Sequence, residues 1–444
     1  MTATPGLFER YRAFHAARAA DGSADEGLEP EPPRSRAIGR SRERAARLAD
    51  LLDGVVEEQG DGLVVRVDQP PLPLPLDPAA LASLPFPIDP ERPFVCLDTE
   101  TTGLATGAGT VVFLVGLGRW DGQQFRVTQL FLPDHADEGA FLAVLAAELP
   151  PGSCLVTYNG RTFDWPLLEA RYRLHRRVPP GLAGHLDLLP IARLLFRHRL
   201  PDARLGTVET AVCGIERIDD LPGAFMPERY HAFLRHGEPG YLRAVALHNE
   251  QDVRSLARLL AHLAEALADP AGRALAEPGD VGRLARAYAR LRRDAEALDC
   301  FDTARAGLAA RATPLPDIAL LRERSWLGAE RARLLRRMGR TDDAVAAWRE
   351  VAAAGGRTGA RAWIEVAKLL EHRARDPMAA LAAVERADAL VARARLGGRI
   401  PAGMEADLAK RRRRLRVRIR RAAARGVPSA PPGVPVPRLV SGWR

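Results

Sequence analysis

Residues 93–103 read PFVCLDTETTG, an apolar run followed by two closely spaced acids. The apolar run at its start is aromatic and β-branched, which predicts a central strand. Asp98 and Glu100 follow two positions apart at the end of that strand. Because side chains alternate along a strand with a period of two, both carboxylates are expected on one face. The pair is either a set of solvated acids at a strand end or a site that a divalent cation neutralises.

The chain beyond this strand alternates between strand-like and helix-like segments as far as residue 268. Asp-Gly at 121–122 predicts a hairpin, and Pro150-Pro151 ends a predicted helix. We therefore expect an α/β fold, with a mixed sheet flanked by helices. The further predicted strands are 110–120, 124–132 and 153–159, the predicted helices are 138–149, 165–176 and 240–268, and 186–196 continues the pattern.

A third acid lies in the segment YNGRTFDWPLL (158–168), between a predicted strand and a predicted helix. Asp164 is a candidate metal ligand at this junction. It is equally a favoured residue for capping the helix that Trp165-Pro166 would start. The turn chemistry of Asn159-Gly160 accounts for those two residues without any functional role.

A fourth acid lies on the apolar stripe of the last predicted helix, which Val245 and Leu256 mark. Asp252 is four residues before Leu256, and His248 is four residues before Asp252, so all share one face. A carboxylate that points toward the core needs a partner. Either an arginine pairs with it or it reaches a metal ion beside the sheet.

The four acids come from one strand, one strand-to-helix junction and one helix of a single α/β domain. Such a set suits two divalent ions, which together activate water and stabilise a leaving oxygen in phosphodiester hydrolysis. Carboxylate oxygens are hard donors, so Mg²⁺ or Mn²⁺ is the expected metal. The predicted ligands are Asp98, Glu100, Asp164 and Asp252.

The segments LDTETTG, YNGRTFDWPLL and HNEQDV resemble the three exonuclease motifs of the DEDD superfamily, which has a ribonuclease-H-like fold. Residues 97–118, 185–196 and 207–238 are similar to the YprB-like ribonuclease-H-like family nearly end to end. The resemblance covers about residues 93–265. It implies that the four acids are metal ligands and that the activity is that of a 3′–5′ exonuclease.

The chain departs from the superfamily pattern at its histidine. Leu247 stands where the histidine-containing enzymes place theirs, and His248 stands where the tyrosine subclass has its tyrosine. His248 is a candidate to orient or deprotonate the attacking water, or else a histidine that hydrogen-bonds at the sheet edge. The resemblance places a common aspartate at Asp187, which together with Asn159 is expected to support the site or contact substrate.

Residues 278–392 have helical patterns in which small and large residues recur at fixed offsets. The pattern resembles tetratricopeptide repeats, although a generic helical bundle rich in alanine and leucine is the alternative. With either fold, this region is expected to be a scaffold or a surface that binds a protein partner. The three copies are Ala285, Tyr288, Ala297, Phe301 and Ala304; Ala332, Leu335, Ala344, Trp348 and Val351; and Ala367, Leu370, Ala380, Val384 and Ala387.

The formal net charge of +9 belongs to the end of the chain. Residues 391–444 hold 15 basic and two acidic residues, so the rest of the chain has a net charge of −4. The cluster Arg411, Arg412, Arg413 and Arg414 predicts salt-sensitive contact with a nucleic-acid backbone. The alternatives to nucleic-acid contact are contact with anionic lipid and a solvated tail without a ligand.

These patterns predict a chain in four parts. They are an N-terminal extension and linker (1–90), a ribonuclease-H-like domain (91–268), a tetratricopeptide-like helical region (278–392) and a basic, proline-rich, partly disordered tail (393–444). The four cysteines form no C-x-x-C pair, and neither a signal peptide nor a long apolar run is found, so we expect a cytoplasmic protein without a transmembrane segment.

The leading functional hypothesis is a metal-dependent nuclease of DNA or RNA. The alternative is a non-catalytic nucleic-acid-binding or adaptor protein that acts through its helical region and basic tail. The sequence does not choose between DNA and RNA, or between exonuclease and endonuclease action.

Overall fold

The computed structural model describes residues 34–103, 109–217, 223–311, 317–396 and 402–424. Its centre is one mixed sheet, in the order β1-β2-β6-β5-β4-β7-β8, with β3 paired to β6. Strands β4, β7 and β8 are parallel, and the other pairs are antiparallel. The strands are β1 (Val55–Gln59), β2 (Gly62–Asp68), β3 (Leu72–Pro73), β4 (Phe94–Thr101), β5 (Val112–Asp121), β6 (Gln124–Phe131), β7 (Cys154–Thr157) and β8 (Gly184–Asp187).

Helices cover both faces of this sheet, so the predicted α/β fold is confirmed. Helix α8 (Leu242–His262) packs on β4, β5 and β6 and continues as a π-helical turn, Leu263–Ala268. The helices around the sheet are α1 (Arg34–Leu52), α2 (Pro78–Ser83), α3 (Glu138–Glu148), α4 (Asp164–Leu174), α5 (Leu188–Phe196), α6 (Leu205–Cys213), α7 (Met226–His236), α8 (Leu242–His262) and α9 (Pro270–Leu275).

Two glycines of β5 allow α8 to lie close to the sheet. A Cβ atom on Gly116 would be 2.3 Å from Oδ1 of Asn249 and 2.7 Å from Val253, and one on Gly118 would be 2.2 Å from Phe125. Any side chain at these positions would move the helix or its buried residues, because protein interiors have no free space of that size.

The N-terminal segment corrects one expectation. Residues 55–68, interpreted from the sequence as part of an extension and linker, form the hairpin β1–β2, and β2 pairs with β6 in the main sheet. Helix α1 packs on β2, with Ala45 and Leu48 fully buried. The domain boundary predicted at residue 91 therefore falls inside the folded unit.

The rest of the described chain is helical, and consecutive helices pack against one another. All fifteen positions of the three predicted copies are buried, which agrees with their assignment to a helical core. The tetratricopeptide relationship stays a prediction. The helices are α10 (Pro278–Arg290), α11 (Asp294–Ala310), α12 (Ile318–Arg337), α13 (Thr341–Ala352), α14 (Gly356–His372), α15 (Pro377–Leu396) and α16 (Ala402–Ala424).

Helix α16 changes the interpretation of the basic tail. Leu408 and Leu415 are fully buried in the core that α14 and α15 share, and Arg411 between them is also buried. Residues 402–424 are thus a packed helix, and residues 425–444 lie outside the described part. No helix in the described ranges is long and apolar enough to cross a membrane.

The sheet and the helical region share one continuous core. Residues of α5 and α8 belong to the same apolar cluster as Val281 and Leu284 of α10. At this junction the buried carboxylate of Asp280 accepts hydrogen bonds from Arg199 (Nη2–Oδ2, 2.8 Å) and His198 (Nε2–Oδ1, 2.9 Å). The two regions are therefore joined by packing and by a buried ionic contact.

Replacing Asp280 with alanine should lower the free energy of unfolding by about 2 kcal/mol, because the substitution leaves Arg199 and His198 without their buried partner. The matched control is Asp343→Ala, which breaks the exposed pair with Arg340 and should cost less than about 0.5 kcal/mol. Urea unfolding followed by circular dichroism measures both. Equal midpoints for the two variants would contradict the assignment.

Candidate active site

The carboxyl end of β4 carries the first two predicted ligands. Asp98 lies opposite Gly116 of β5 and Glu100 lies opposite Leu114, with a β-bulge directly after Glu100. Phe94 and Cys96 share their side of the strand and belong to the core beneath α8. The two acids thus continue the apolar side of β4 toward α8, as the period of two predicts.

A chain of amide side chains holds Asp98. Asn249 of α8 donates from Nδ2 to Oδ2 of Asp98 at 2.9 Å. Gln129 of β6 donates from Nε2 to Oδ1 of Asn249, also at 2.9 Å, and to the carbonyl oxygen of Ala246. Both amides are fully buried. Every polar atom of the Asn249 and Gln129 side chains has a hydrogen-bond partner, so these amides hold the Asp98 carboxylate in one orientation.

The third acid, Asp164, is the first residue of α4. It is buried and accepts a hydrogen bond from the hydroxyl of Thr99, the residue between Asp98 and Glu100. Burial raises the pKa of Asp164 to about 6, although the hydrogen bond from Thr99 opposes that shift. Asp164 is therefore tied to β4 by a side-chain contact as well as by the packing of its helix.

The fourth acid, Asp252, has an arginine partner in this structure. Arg217 donates to Asp252 and to the buried carboxylate of Glu209 on α6. Ser255 of α8 also donates to Glu209. The arginine partner that the sequence allowed for Asp252 is therefore Arg217.

The four carboxylates act on one another electrostatically. Burial raises the pKa of Asp98 well above its usual range, and the charges of Asp252, Glu100 and Asp164 raise it further. Burial likewise raises the pKa of Asp252, while His248 and Arg217 lower it. The site therefore disfavours its own negative charge unless a cation compensates it.

Part of the chain that carries this site is similar to known proteins. Residues 95–264 match the RNase_H_2 family model of the RNase_H superfamily. These residues form a ribonuclease-H-like domain. YprB of Bacillus subtilis (strain 168), an uncharacterized protein, is 43% identical over 170 residues, which are 38% of this chain and 41% of YprB. The aligned part is thus less than half of either protein.

The ribonuclease-H-like domain indicates a nuclease-type function, and nucleases of this superfamily typically use divalent metals. The donor set fits such ions, because four carboxylates offer the hard oxygen atoms that they prefer. Among the described residues, no group of three or more His, Cys, Asp or Glu side chains is arranged so that it could hold a metal ion. Arg217 already contacts one of the four acids, Asp252.

Asp187 supports the loop of the ribonuclease-H-like domain that leads to Asp164. Its carboxylate accepts hydrogen bonds from the backbone N–H groups of Asn159 (2.8 Å), Arg161 (3.3 Å) and Leu189 (3.0 Å). Asn159 has a positive φ of 69°, and its side-chain oxygen accepts from the hydroxyl of Thr162. Both predicted supporting residues therefore shape this turn.

His248 lies beside Asp252, one turn earlier on α8. Its Nε2 is 3.6 Å from Oδ2 of Asp252, and only 13% of its side chain is exposed. Leu247, which occupies the histidine position of the superfamily, is 60% exposed. The imidazole is thus placed at the site, in contrast to its neighbour.

Several residues of the ribonuclease-H-like site were missed by the sequence reasoning. Asn249 lies on the same helical stripe as Val245 and Val253, so a polar residue on an apolar face was an available signal. Gln129 and Thr99 lie in predicted strands without any charge to mark them. The missed residues are Thr99, Gln129, Glu209, Arg217 and Asn249.

Proposed function

We propose that this protein is a metal-dependent nuclease that hydrolyses phosphodiester bonds of DNA or RNA, acting as a 3′–5′ exonuclease with two Mg²⁺ or Mn²⁺ ions. One observation carries the proposal. Hydrogen bonds join the three elements that carry the four acids: Asn249 of α8 donates to Asp98 of β4, and Thr99 of β4 donates to Asp164 of α4. Burial and the neighbouring acids also raise the pKa of Asp98, and carboxylates with raised pKa values are typical of functional sites.

The proposed metal ligands are Asp98, Glu100, Asp164 and Asp252. When bound, the two ions supply a nucleophilic water and stabilise the leaving oxygen. The protein contributes the orientation of its own carboxylates: Asn249 fixes that of Asp98 and Thr99 fixes that of Asp164. Such supporting contacts commonly change metal affinity or activity by about 10- to 100-fold.

His248 is the proposed base or orienting group. Its imidazole lies beside Asp252 on the same face of α8, and histidine is the side chain that most often accepts a proton from water in enzymes. Arg217 neutralises Asp252 in this structure, so we expect its guanidinium and a cation to compete for that carboxylate.

The second candidate function is non-catalytic binding of nucleic acid. The contact between Arg217 and Asp252 favours it, because an acid neutralised within the protein needs no metal ion. In that case the helical region and the arginines of α16 would carry the function.

A substrate panel tests the proposal. The full-length protein is incubated with single- and double-stranded DNA and RNA, labelled at either end, with Mg²⁺, with Mn²⁺ or with a chelator. We expect hydrolysis only with a divalent ion, immediate release of a 3′ label, and progressive shortening of 5′-labelled strands. Labelled internal fragments would replace the exonuclease by an endonuclease, and binding without hydrolysis of any substrate would favour the second candidate.

A further inference from the structure

A groove of about 830 Å³ lies in the helical region, remote in sequence from the candidate active site. Helices α12, α14 and α16 provide most of its lining, with contributions from α10 and α11. Seven arginine or lysine side chains line it, against two glutamates. The groove is therefore a concave, strongly positive surface, in a protein whose body has a net negative charge.

Several of these cations already have partners within the protein. Arg337 pairs with Asp294, and Lys368 pairs with Glu365 at 2.6 Å. Arg333 pairs with Glu330 at 2.6 Å across an exposed turn of α12. These ion pairs within the protein neutralise part of the positive charge of the groove.

The wall that α16 contributes is held in place by a buried acid. Glu371 of α14 is almost fully buried and accepts from Arg411 and Arg414, the two arginines of α16 that line the groove. Burying a carboxylate is costly without cationic partners, so this contact fixes α16 against α14. The sequence placed this basic segment in a partly disordered tail, whereas at Arg411 and Arg414 it belongs to a packed helix that lines the groove.

Two arginines of the groove have no acidic partner among the described residues. Arg336, in the last turn of α12, and Arg373, at the end of α14, are both exposed and line the groove. A position at a helix C-terminus accounts for a single cation there through the helix dipole. The helix dipole does not explain why two arginines at helix C-termini line one cavity together with five further cations.

The chemistry of the lining selects the kind of ligand. The residues that line the groove include no Asn, Gln, Ser, Thr or Tyr, so they offer few partners for the amide groups of a peptide. They offer guanidinium groups, which bind phosphate oxygens in a bidentate manner. They offer little aromatic surface for stacking bases, since Phe301 is 1% exposed.

We propose that this groove binds the phosphate backbone of the nucleic-acid substrate, independently of base sequence, through Arg336 and Arg373. The proposal rests on the proposed function, because it takes its ligand from the ribonuclease-H-like domain. It assigns the helical region a direct role in holding the substrate.

The test compares two double variants of the full-length protein. Arg336→Ala with Arg373→Ala removes the two unpaired cations of the groove. Arg349→Ala with Arg361→Ala removes the same charge from exposed positions outside it, where neither arginine has an acidic partner within the described ranges. Binding of a labelled oligonucleotide is measured by fluorescence anisotropy over a series of salt concentrations, with a chelator present so that nothing is cleaved.

The groove variant should bind roughly tenfold more weakly at moderate salt. Its slope of log affinity against log salt should fall by about one for each phosphate that the variant no longer neutralises. The control variant should keep the slope of the unmodified protein. Both variants should hydrolyse a small chromogenic phosphodiester as the unmodified protein does, because this substrate does not reach the groove.

The outcomes separate the two proposals. If the unmodified protein hydrolyses the chromogenic ester but the groove variant binds oligonucleotide with unchanged affinity and slope, the groove assignment is wrong and the nuclease proposal stands. If the unmodified protein neither binds nor hydrolyses, both fail. If the groove variant loses binding of a labelled poly-glutamate peptide while its oligonucleotide binding is unchanged, the groove is a site for an acidic protein instead.

Discussion

Replacing Asp98 and Glu100 together with alanine should lower the rate of phosphodiester hydrolysis at least ~1000-fold, which corresponds to a loss of about 4 kcal/mol of transition-state stabilisation. The reason is that both carboxylates of β4 point to the same side beneath α8, where the proposed ions would be held. Removing both takes away two of the four ligands. Initial rates with saturating Mg²⁺ and with Mn²⁺ measure the effect.

The folded state of this double variant should be retained. The Asp98 carboxylate is destabilised by burial and by three neighbouring acids, so its removal relieves a repulsion in the metal-free protein. The thermal midpoint without metal should therefore be unchanged or higher. Asp121→Ala, at the exposed end of β5, is the control for an acid on the same sheet and should keep full activity. Activity of the double variant within tenfold of the unmodified protein would refute the ligand assignment.

Replacing Gly116 with alanine should lower the free energy of unfolding by about 2–3 kcal/mol and the activity at least ~10-fold. The new Cβ atom would be 2.3 Å from Oδ1 of Asn249, which cannot turn away without losing its hydrogen bond from Gln129. Asn249 would then no longer orient Asp98. Urea unfolding and initial rates measure the two effects separately.

The control for this substitution is Gly240→Ala, because a Cβ atom there would meet no heavy atom within 4 Å. It should change stability by less than about 0.5 kcal/mol, as for an ordinary surface substitution. If Gly116→Ala were equally harmless, α8 would have room to move, and the close approach of helix and sheet would not position Asp98.

The sequence predicted those parts of the molecule that depend on local periodicity. The two-residue spacing of Asp98 and Glu100 was enough to place both on one side of β4, and the four-residue spacing of His248 and Asp252 was enough to place them together on α8. The fifteen repeat positions were likewise recognisable from their offsets, because each offset returns a residue to the buried face of its helix.

Contacts between distant segments were beyond the reach of such patterns. Gln129 and Asn249 are 120 residues apart, and neither carries a charge that would mark it. Arg217 was hidden among many arginines, although it is the one that contacts Asp252. These partners are fixed by the crossing of α8 over the sheet, which has no local signature.

The N-terminal hairpin had a signal that was overlooked. Gly60 and Asp61 form a two-residue turn between β1 and β2, and Gly60 has a positive φ of 63°. Glycine with aspartate between two strand-like runs is a recognised hairpin pattern. The strand β1 is mostly exposed, so its weak apolar pattern hid the fact that its neighbour β2 is buried and completes the sheet.

The pairing of β2 with β6, and the core that α5 and α8 share with α10, have a consequence for how similarity to other proteins is understood. The stretch that matches the RNase_H_2 family model, residues 95–264, begins inside β4 and ends before α10, whose apolar residues belong to the same core. The matched residues are therefore fewer than the residues that share the sheet and its core. A fragment cut to the matched residues would leave β6 as a bare edge and α5 with an uncovered apolar face, both of which promote aggregation. A fragment for expression should therefore extend beyond the matched residues on both sides, from α1 at least as far as α11.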